Sequence, residues 1–244
     1  MSVLYGIHAV AEALKASPDK IERICVERGQ KNPRVQEIVD MARQHHVRIS
    51  FEERSWLDRK AEGSRHQGIL CFAAEMGTFD SEDILEHAKS PGLLVVLDGV
   101  EDPHNLGAIL RSAEAAGADG VFLPQHRSAA LSATVVKASA GAASHIKLAR
   151  IANLAQFIES LKKKGFWVAG LDSDSDKSIW DVDLTIPTAL ILGSEGSGLH
   201  RLVREKCDYV VSLPIRGMVS SYNVSVAAGI ALYEAIRQRA LCTK

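Results

Sequence analysis

The sequence of 244 residues predicts an α/β protein with two domains and a mostly parallel main sheet. Apolar runs of strand length alternate with amphipathic segments, which is typical of a parallel sheet covered by helices on both faces. The run LLVVLDGV at 93–100 is apolar almost throughout, as expected of a strand buried on both faces. Between the two alternating regions, residues 77–91 are acidic and rich in turn formers, which predicts a linker.

The first domain is predicted at 1–76. A helix opens at Pro33, and its apolar stripe is Val35, Ile38, Val39 and Ala42. Ser55 is the expected cap of a short helix that follows. The predicted strands are IERICVE at 21–27, VRISF at 47–51 and ILCFAA at 69–74.

The second domain is predicted at 92–244. Its first helix, NLGAILRSAEAAG, ends at Gly117, and a later one begins at the cap Asn153 and ends at Gly165. A small-residue helix at 132–144 and a long final helix from Asn223 are also expected. The predicted strands are GVFLP, HIKLARI, FWVAGL, TALILG and YVVSLPI.

Composition bounds the function. Hydrophobic residues make up 46% and charged residues 24%, the balance of a globular domain with a core. Net charge is −1, because each domain carries a surplus of one positive charge and residues 77–91 carry three excess negative ones. The sequence lacks the strongly positive net charge that is typical of nucleic-acid-binding domains, so RNA contacts would come from local basic patches.

Targeting signals are not expected. The N-terminus has no secretory pattern, and no apolar run reaches the ~20 residues needed to span a bilayer, so no membrane partner is predicted. The four cysteines are scattered and form no CxxC pair. Scattered thiols fit a reducing cytoplasm.

Candidate chemistry lies in three loops at predicted strand ends, where open α/β sheets bind ligands. In the first, the pattern N-x-G-x-x-x-R places Asn105 at a helix start and Arg111 one and a half turns later, toward neighbouring faces. Taken alone, this pair also fits a capping Asn and a solvated Arg. His104 has no second metal ligand at a suitable spacing, and no metal is expected.

The second loop, GSEGSG at 193–198, resembles a phosphate-binding turn but differs in the order of its glycines. A dinucleotide fingerprint reads G-x-G-x-x-G, and a Walker loop needs Gly-Lys-Ser/Thr. Here the order is G-x-x-G-x-G, and Glu195 would repel a pyrophosphate. The loop therefore favours a neutral or cationic ligand without phosphates.

The third segment, SLPIRGMVSSYNVSVAAG at 212–229, carries Ser220, Ser221 and Asn223 before the last helix. Each fits a helix cap when taken alone. No His–Asp pair accompanies Ser221, so a serine hydrolase is not expected.

Together the three segments, N-x-G-x-x-x-R, L-G-S-E-G-x-G-L and L-P-I-x-G-x-x-x-S-x-N-V-S-V-A, resemble the ordered motifs of the SpoU/TrmH family. These are SPOUT-class RNA ribose 2′-O-methyltransferases. YGIHAVAEAL and RHQGI resemble the small substrate-binding domain of the two-domain members, which methylate a guanosine ribose in large-subunit (23S) rRNA.

This resemblance implies S-adenosylmethionine as cofactor, an RNA substrate, a homodimer whose active sites draw on both subunits, and a deep trefoil knot in the C-terminal SPOUT domain. Knots are rare exceptions among folds. The motif positions imply two sets of site residues. The catalytic set is Asn105, Arg111, Glu195, Ser221 and Asn223, and the cofactor set is Gly193, Leu213 and Tyr222. Tyr222 departs from the usual Leu of the family.

Because a guanidinium stays protonated, we expect Arg111 to hold a phosphate or stabilise the ribose oxyanion rather than to act as base. In the first domain, Arg65, His66 and Gln67 are expected to contact RNA. Three alternatives stay open at this point: a tRNA ribose methyltransferase, a catalytically inactive RNA-binding protein, and, least favoured by the glycine order, a nucleotide-dependent oxidoreductase.

Overall fold

A computed structural model describes residues 2–63, 65–74 and 77–242 of the chain. Glu75 and Met76, at the end of the predicted first domain, lie outside the described residues. The ten strands described are β1 Ser2–Tyr5, β2 Ile21–Glu27, β3 Arg48–Glu52, β4 Ile69–Ala73, β5 Leu93–Asp98, β6 Gly120–Pro124, β7 Leu148–Ile151, β8 Trp167–Leu171, β9 Thr188–Gly193 and β10 Tyr209–Val211.

Helices follow most strands, as the alternating pattern predicted. The α-helices of the described residues are α1 Ile7–Ala16, α2 Pro33–Gln44, α3 Arg54–Lys60, α4 Ser81–Glu86, α5 Pro103–Ala115, α6 Ala133–Ala138, α7 Leu154–Lys163, α8 Arg201–Lys206 and α9 Val224–Cys242. None of these helices is long and apolar enough to cross a bilayer.

The chain divides into two compact units. The first unit comprises Met1–Gly77 and Ala130–His145, and the second comprises Thr78–Ala129 and Ile146–Lys244. The segment Ala130–His145, which includes α6, thus packs with the N-terminal part of the chain although it follows β6. Part of the reason lies in Val136 of α6, which is buried in the core of the first unit.

The first unit contains a mixed sheet in the order β1-β4-β2-β3. β2 pairs in parallel with β3 and antiparallel with β4. The predicted stripe of α2, Val35, Ile38, Val39 and Ala42, is buried as expected, and Asn32 caps the helix by accepting from Arg34 N (3.0 Å). The cap predicted at Ser55 is wrong: α3 begins at Arg54, and Glu53 stands at its N-cap position.

The second unit contains a six-stranded sheet in the order β10-β8-β9-β5-β6-β7, in which every pair is parallel. The predicted fold class, α/β with a mostly parallel main sheet, is confirmed. β5 and β9 are buried along their whole length, as central strands of a covered sheet must be. Helix signals hold as well, since Asn153 caps α7 and Gly117 and Gly165 have positive φ after α5 and α7.

Three predicted elements are shorter than the sequence indicated. The predicted strand at 209–215 ends at Val211, and β7 begins at Leu148 rather than at His145. The small-residue helix stops at Ala138, and a 3-10 turn at Ala142–Ser144 follows Gly141, whose φ is +90°. Within the range 77–91, α4 buries Ile84 and Leu85 in the core of the second unit.

Burial gives the cysteines different reactivities. Burial raises the pKa of the Cys25 thiol and raises those of Cys71 and Cys207 to about 12, whereas Cys242 is exposed at the end of α9. Because only the thiolate attacks alkylating reagents, we expect iodoacetamide at neutral pH to modify Cys242 first and the other three only after denaturation. Mass spectrometry of the wild type beside Cys242→Ser checks this. Rapid labelling of the folded Cys242→Ser variant would contradict the burial.

Candidate functional site

The candidate site lies where the strand order of the second unit reverses. From β5 the chain proceeds outward to β6 and β7, and then crosses to β8 on the other side, so β5 and β9 are neighbours at a switch point. Their last residues, Asp98 and Gly193, are register partners. Crevices outside the carboxyl ends of such strands are the usual ligand sites of open α/β sheets.

The loop after β9 is closed on itself. Ser194 N donates to Gly198 O (3.0 Å) and Gly198 N donates to Ser194 O (3.1 Å). A Cβ on Gly193 would lie 2.1 Å from the carbonyl carbon of Gly198 and 2.4 Å from Leu199 N. Gly193 is therefore required by close backbone packing, which is a different role from cradling a phosphate.

Three side chains of the predicted site form one hydrogen-bonded network. Asn105 Nδ2 donates to Glu195 Oε1, and Asn223 Nδ2 donates to the same oxygen (2.8 Å) and to Asn105 Oδ1 (3.1 Å). Asn223 Oδ1 in turn accepts from Ser225 N (2.9 Å) at the start of α9. One residue from each motif thus joins α5, the glycine loop and α9.

Asn105 is free for this network because it does not cap α5. The cap is Asp102, whose Oδ1 accepts from His104 N (3.0 Å), and the helix begins at Pro103. The expectation that Asn105 stands at the helix start as a cap is therefore wrong by three residues. Its side chain is 8% exposed and lies against the loop after β9.

A cavity of about 370 Å³, here called the loop cavity, lies between the glycine loop and the segment before α9. Its size falls within the ~300–1,000 Å³ of small-molecule sites. Among the predicted site residues, it is lined by Gly193, Glu195, Leu213, Ser221, Tyr222 and Asn223. Tyr222 OH donates to Pro214 O (3.4 Å), which braces the ring against the chain.

The lining of the loop cavity has a clear charge character. Asp172 and Glu195 line it, while no Lys, Arg or His does so within the described part of the chain. Asp172 is partly neutralised by Arg204 Nε (2.9 Å). A pyrophosphate would meet carboxylates here without a cation on the described lining, whereas a cationic ligand would be stabilised.

Arg111 stands apart from this network. It is exposed on α5 and does not line the loop cavity, and within the described ranges it makes no hydrogen bond or ion pair. The spacing from Asn105 led us to expect neighbouring faces, but Asn105 is buried and Arg111 faces solvent. A helical offset of six residues is about 240° around the axis, which separates the two side chains.

A second cavity of about 420 Å³, here called the β5 cavity, shares Ser194 and Glu195 with the loop cavity. His200 on its lining, and Asp98, which is hydrogen-bonded to His200, are residues that the sequence did not reveal as part of the site. Asp98, at the end of β5, is 4% exposed and accepts from His200 N (2.8 Å) and from the ring Nδ1–H of His200 (2.9 Å). A lone acidic residue ending an apolar strand was the available signal.

In the first unit, one expected RNA contact is wrong. His66 is 4% exposed, and its Nδ1 accepts from Gly68 N (3.0 Å) while its Nε2 donates to Asp58 Oδ1 (2.9 Å). Both ring nitrogens are therefore used to shape the loop. Arg65 and Gln67, on either side, are exposed, and Gln67 Oε1 accepts from Ile7 N (3.1 Å).

Two family descriptions match the chain. The SpoU rRNA Methylase family matches residues 92–233, which is more than half of the chain. The chain belongs to the SpoU family. The second description, RNA 2′-O ribose methyltransferase substrate binding, matches residues 3–76. The resemblance of the three motifs to SpoU/TrmH enzymes is thereby confirmed.

Relatives of this SpoU chain cover nearly its whole length. It is 44% identical over 239 residues to the 23S rRNA (guanosine-2′-O-)-methyltransferase RlmB of Pseudomonas syringae pv. tomato, with 97% of this chain and 95% of the relative covered. The enzyme of the same name from Photorhabdus laumondii is 42% identical, with 97% and 98% covered.

Solved structures agree with the fold. The SpoU methyltransferase AviRb from Streptomyces viridochromogenes superposes with a TM-score of 0.83 at 26% identity, covering 99% of this chain and 90% of that one. AviRb is also solved in complex with the cofactor AdoMet, with a TM-score of 0.81 at 26% identity, covering 98% of this chain and 90% of that one. A TrmH/SpoU tRNA modifying enzyme from A. aeolicus, 30% identical with a TM-score of 0.58, covers 66% of this chain and 81% of its own.

Gly193→Ala tests the packing of the glycine loop. The added Cβ must displace backbone at Gly198, because it would lie 2.1 Å from the carbonyl carbon there. Overpacking of this kind typically costs ~1–3 kcal/mol, and each kcal/mol lowers the Tm of a chain of this size by ~2–4 °C. Thermal unfolding measures it. Gly217→Ala, where the Cβ would meet nothing within 4 Å, is the matched control. Equal Tm values for the two variants would contradict the close packing.

Proposed function

We propose that this SpoU chain transfers a methyl group from S-adenosylmethionine to the ribose 2′-oxygen of a guanosine in 23S rRNA. The observation that carries the proposal is the network of Asn105, Glu195 and Asn223, which joins the three family motifs beside the loop cavity. The relatives at 42–44% identity are named for this reaction.

S-adenosylmethionine suits the loop cavity chemically. It supplies a methyl group on a positively charged sulfonium and carries no phosphate, and the cavity presents Asp172 and Glu195 without a lining cation in the described chain. Gly193, Leu213 and Tyr222 are the residues we assign to cofactor binding. All three would contribute mainly backbone contacts, so the departure from Leu at position 222 is compatible with binding.

Ribosomal rather than transfer RNA is the substrate we favour. The tRNA modifying neighbour covers 66% of this chain, whereas the RlmB relatives cover 97% of it and include the region at 3–76. We infer that residues 1–76 bind the substrate RNA and that residues 92–244 catalyse the methyl transfer. Residues 77–91 would connect these two regions. Arg65 and Gln67 are exposed and remain the RNA contacts expected here. A cytoplasmic location follows from the rRNA substrate.

Catalysis requires the ribose hydroxyl to be held in line with the methyl group and its developing charge to be stabilised. We assign that electrostatic role to Arg111, whose guanidinium remains a cation. Glu195, Asn105 and Asn223 hold the motifs in register. Ser221 lines the loop cavity and would orient the ribose. The proton leaves to water or to a substrate phosphate.

A second copy of the chain would bring Arg111 to a site. On α9, the apolar side chains of Val226, Ile230 and Tyr233 are exposed along one stripe, with Tyr233 at 68%. Ser112, next to Arg111, lies 3.6 Å from the Cβ position of Gly229, next to Ile230. Arg111 lies on α5, which packs on α9, so a homodimer that buries the stripe would bring a partner subunit close to it. β10 at the sheet edge and the return of α9 onto α5 support the implied knot.

Methylation of unmodified 23S rRNA tests the function and the role of Arg111 together. With S-adenosylmethionine, the wild type is expected to methylate one guanosine ribose, mapped by resistance of the neighbouring phosphodiester to alkaline cleavage. Arg111→Ala and Arg111→Lys should lower the single-turnover rate ~10²–10³-fold, the usual cost of one lost transition-state donor. Cofactor affinity, titrated by calorimetry, should stay unchanged. Wild-type rates in Arg111→Ala would remove Arg111 from the mechanism.

Charge placed on the α9 stripe tests the dimer. Ile230→Glu combined with Tyr233→Glu should convert a dimer to a monomer in sedimentation equilibrium, because paired carboxylates cannot be buried in an apolar interface without a large cost. Methylation should be lost with it. Leu202→Glu, on α8 and 54% exposed, is the control and should stay dimeric. A monomeric wild type, or a dimeric double variant, would rule out this interface.

A further inference from the structure

The loop after β6 presents an arginine to the β5 cavity. Arg127 lines that cavity, is exposed, and has a φ of +54°, in the left-handed region that a residue with a side chain rarely adopts. Within the described ranges, Arg127 makes no hydrogen bond or ion pair. A backbone outlier at the rim of a cavity is a reason to look for a ligand.

The conformation of this loop is imposed by Arg150 on β7. Its Nη1 donates to Pro124 O (3.2 Å) and Ser128 Oγ (2.8 Å), and its Nη2 donates to Ala129 O (3.1 Å). Ala129 N also donates to Val100 O (3.0 Å). Arg127 lies between these hydrogen-bonded residues, so its backbone is fixed at the rim of the cavity while its guanidinium donors remain free.

His200 contributes a second nitrogen to the same cavity. Its Nδ1–H is committed to Asp98 Oδ1 (2.9 Å), and its ring packs against Gly99, whose Cβ position lies 3.4 Å from Cε1. Asp98 thereby fixes the ring, and the side chain is 48% exposed. A doubly protonated imidazole would donate Nε2–H to an anion while keeping the bond to Asp98.

The carboxylates facing His200 and Arg127 are mostly engaged already. Asp98 accepts from His200, Asp102 accepts from His104 N, and Glu195 accepts from the amides of Asn105 and Asn223. Glu101 is the further carboxylate on the described lining. An anion entering the cavity would therefore meet one free guanidinium and one oriented imidazole, beside carboxylates that keep their charge.

We propose that Arg127 and His200 bind a backbone phosphate of the RNA beside the target ribose, and that Arg150 and Asp98 are positioning residues for them. The proposal rests on the methyltransferase function, because the β5 cavity adjoins the loop cavity at Ser194 and Glu195. The planar fork of Arg suits two phosphate oxygens. The phosphate would hold the ribose on the side of Glu195 opposite the cofactor.

The decisive variant is Arg127→Gly, which removes the cation and accepts the positive φ without strain. Binding of a 23S rRNA fragment should weaken several-fold, and the slope of log K against log salt should fall by about 0.7–0.9, as for one lost phosphate contact. Arg201→Gln removes an exposed cation of the same unit that pairs with Glu205 and lines neither cavity. Its salt slope and activity should match those of the wild type.

His200 is tested by charge. His200→Gln should raise the KM for RNA with little change in kcat, whereas His200→Arg places a donor and a cation beside Asp98 and should restore the wild-type KM. Cofactor affinity should be unchanged in every variant. This separates an RNA phosphate from the carboxylate of S-adenosylmethionine, since a loss of cofactor affinity in Arg127→Gly would overturn the proposal.

An unchanged salt slope in Arg127→Gly would overturn it too, as would a His200→Arg variant no better than His200→Gln. Failure of the proposed function is distinguishable from these results. In that case the wild type would bind neither S-adenosylmethionine nor rRNA specifically, and no variant comparison would be needed to see it.

Discussion

One carboxylate holds the candidate site together. Glu195 accepts hydrogen bonds from the amides of Asn105 and Asn223, which are 90 and 28 residues away in sequence. The amide of Asn223 also donates to Asn105, so the three side chains close a triangle. Removing the carboxylate would leave the amide of the buried Asn105 without this acceptor, which costs more than one net hydrogen bond, while Asn223 would keep its bond to Asn105. The register of α5, the glycine loop and α9 depends on this acceptor.

The glycines of the loop after β9 help to fix the position of Glu195. Gly193 is excluded from carrying a side chain by Gly198 and Leu199, and the closed turn that results places Glu195 at the boundary of both cavities. A phosphate-cradling loop exposes backbone N–H groups to its ligand. Here Ser194 N and Gly198 N donate within the turn, so they are not available for a phosphate. The order of the glycines and the internal hydrogen bonds both indicate that this loop does not cradle a phosphate.

Much of this could be predicted from sequence because it depends on local patterns. The stripe of α2, the cap Asn153 and the αL glycine Gly117 are read within a few residues, and each is confirmed. Partners distant in the chain were inaccessible. Asp98 and His200 are 102 positions apart in the sequence. Arg150 binds residues that precede it by about 21–26 positions. No periodic pattern in the sequence indicates either contact. His66 was wrongly predicted to contact RNA. Its burial depends on Asp58, a tertiary contact that could not be read from the sequence.

The two cavities differ in the charge of the ligand that each would bind. The loop cavity is lined by carboxylates and suits a cation, while the β5 cavity offers Arg127 and His200 to an anion, and Glu195 is common to both. Under the two proposals, a cationic methyl donor would lie on one side of Glu195 and a backbone phosphate of the RNA on the other. Arg111 lines neither of these two cavities and lies on α5, the helix that packs on α9. In the proposed arrangement one chain would bind both substrates, and a second copy of the chain would bring Arg111 to the site.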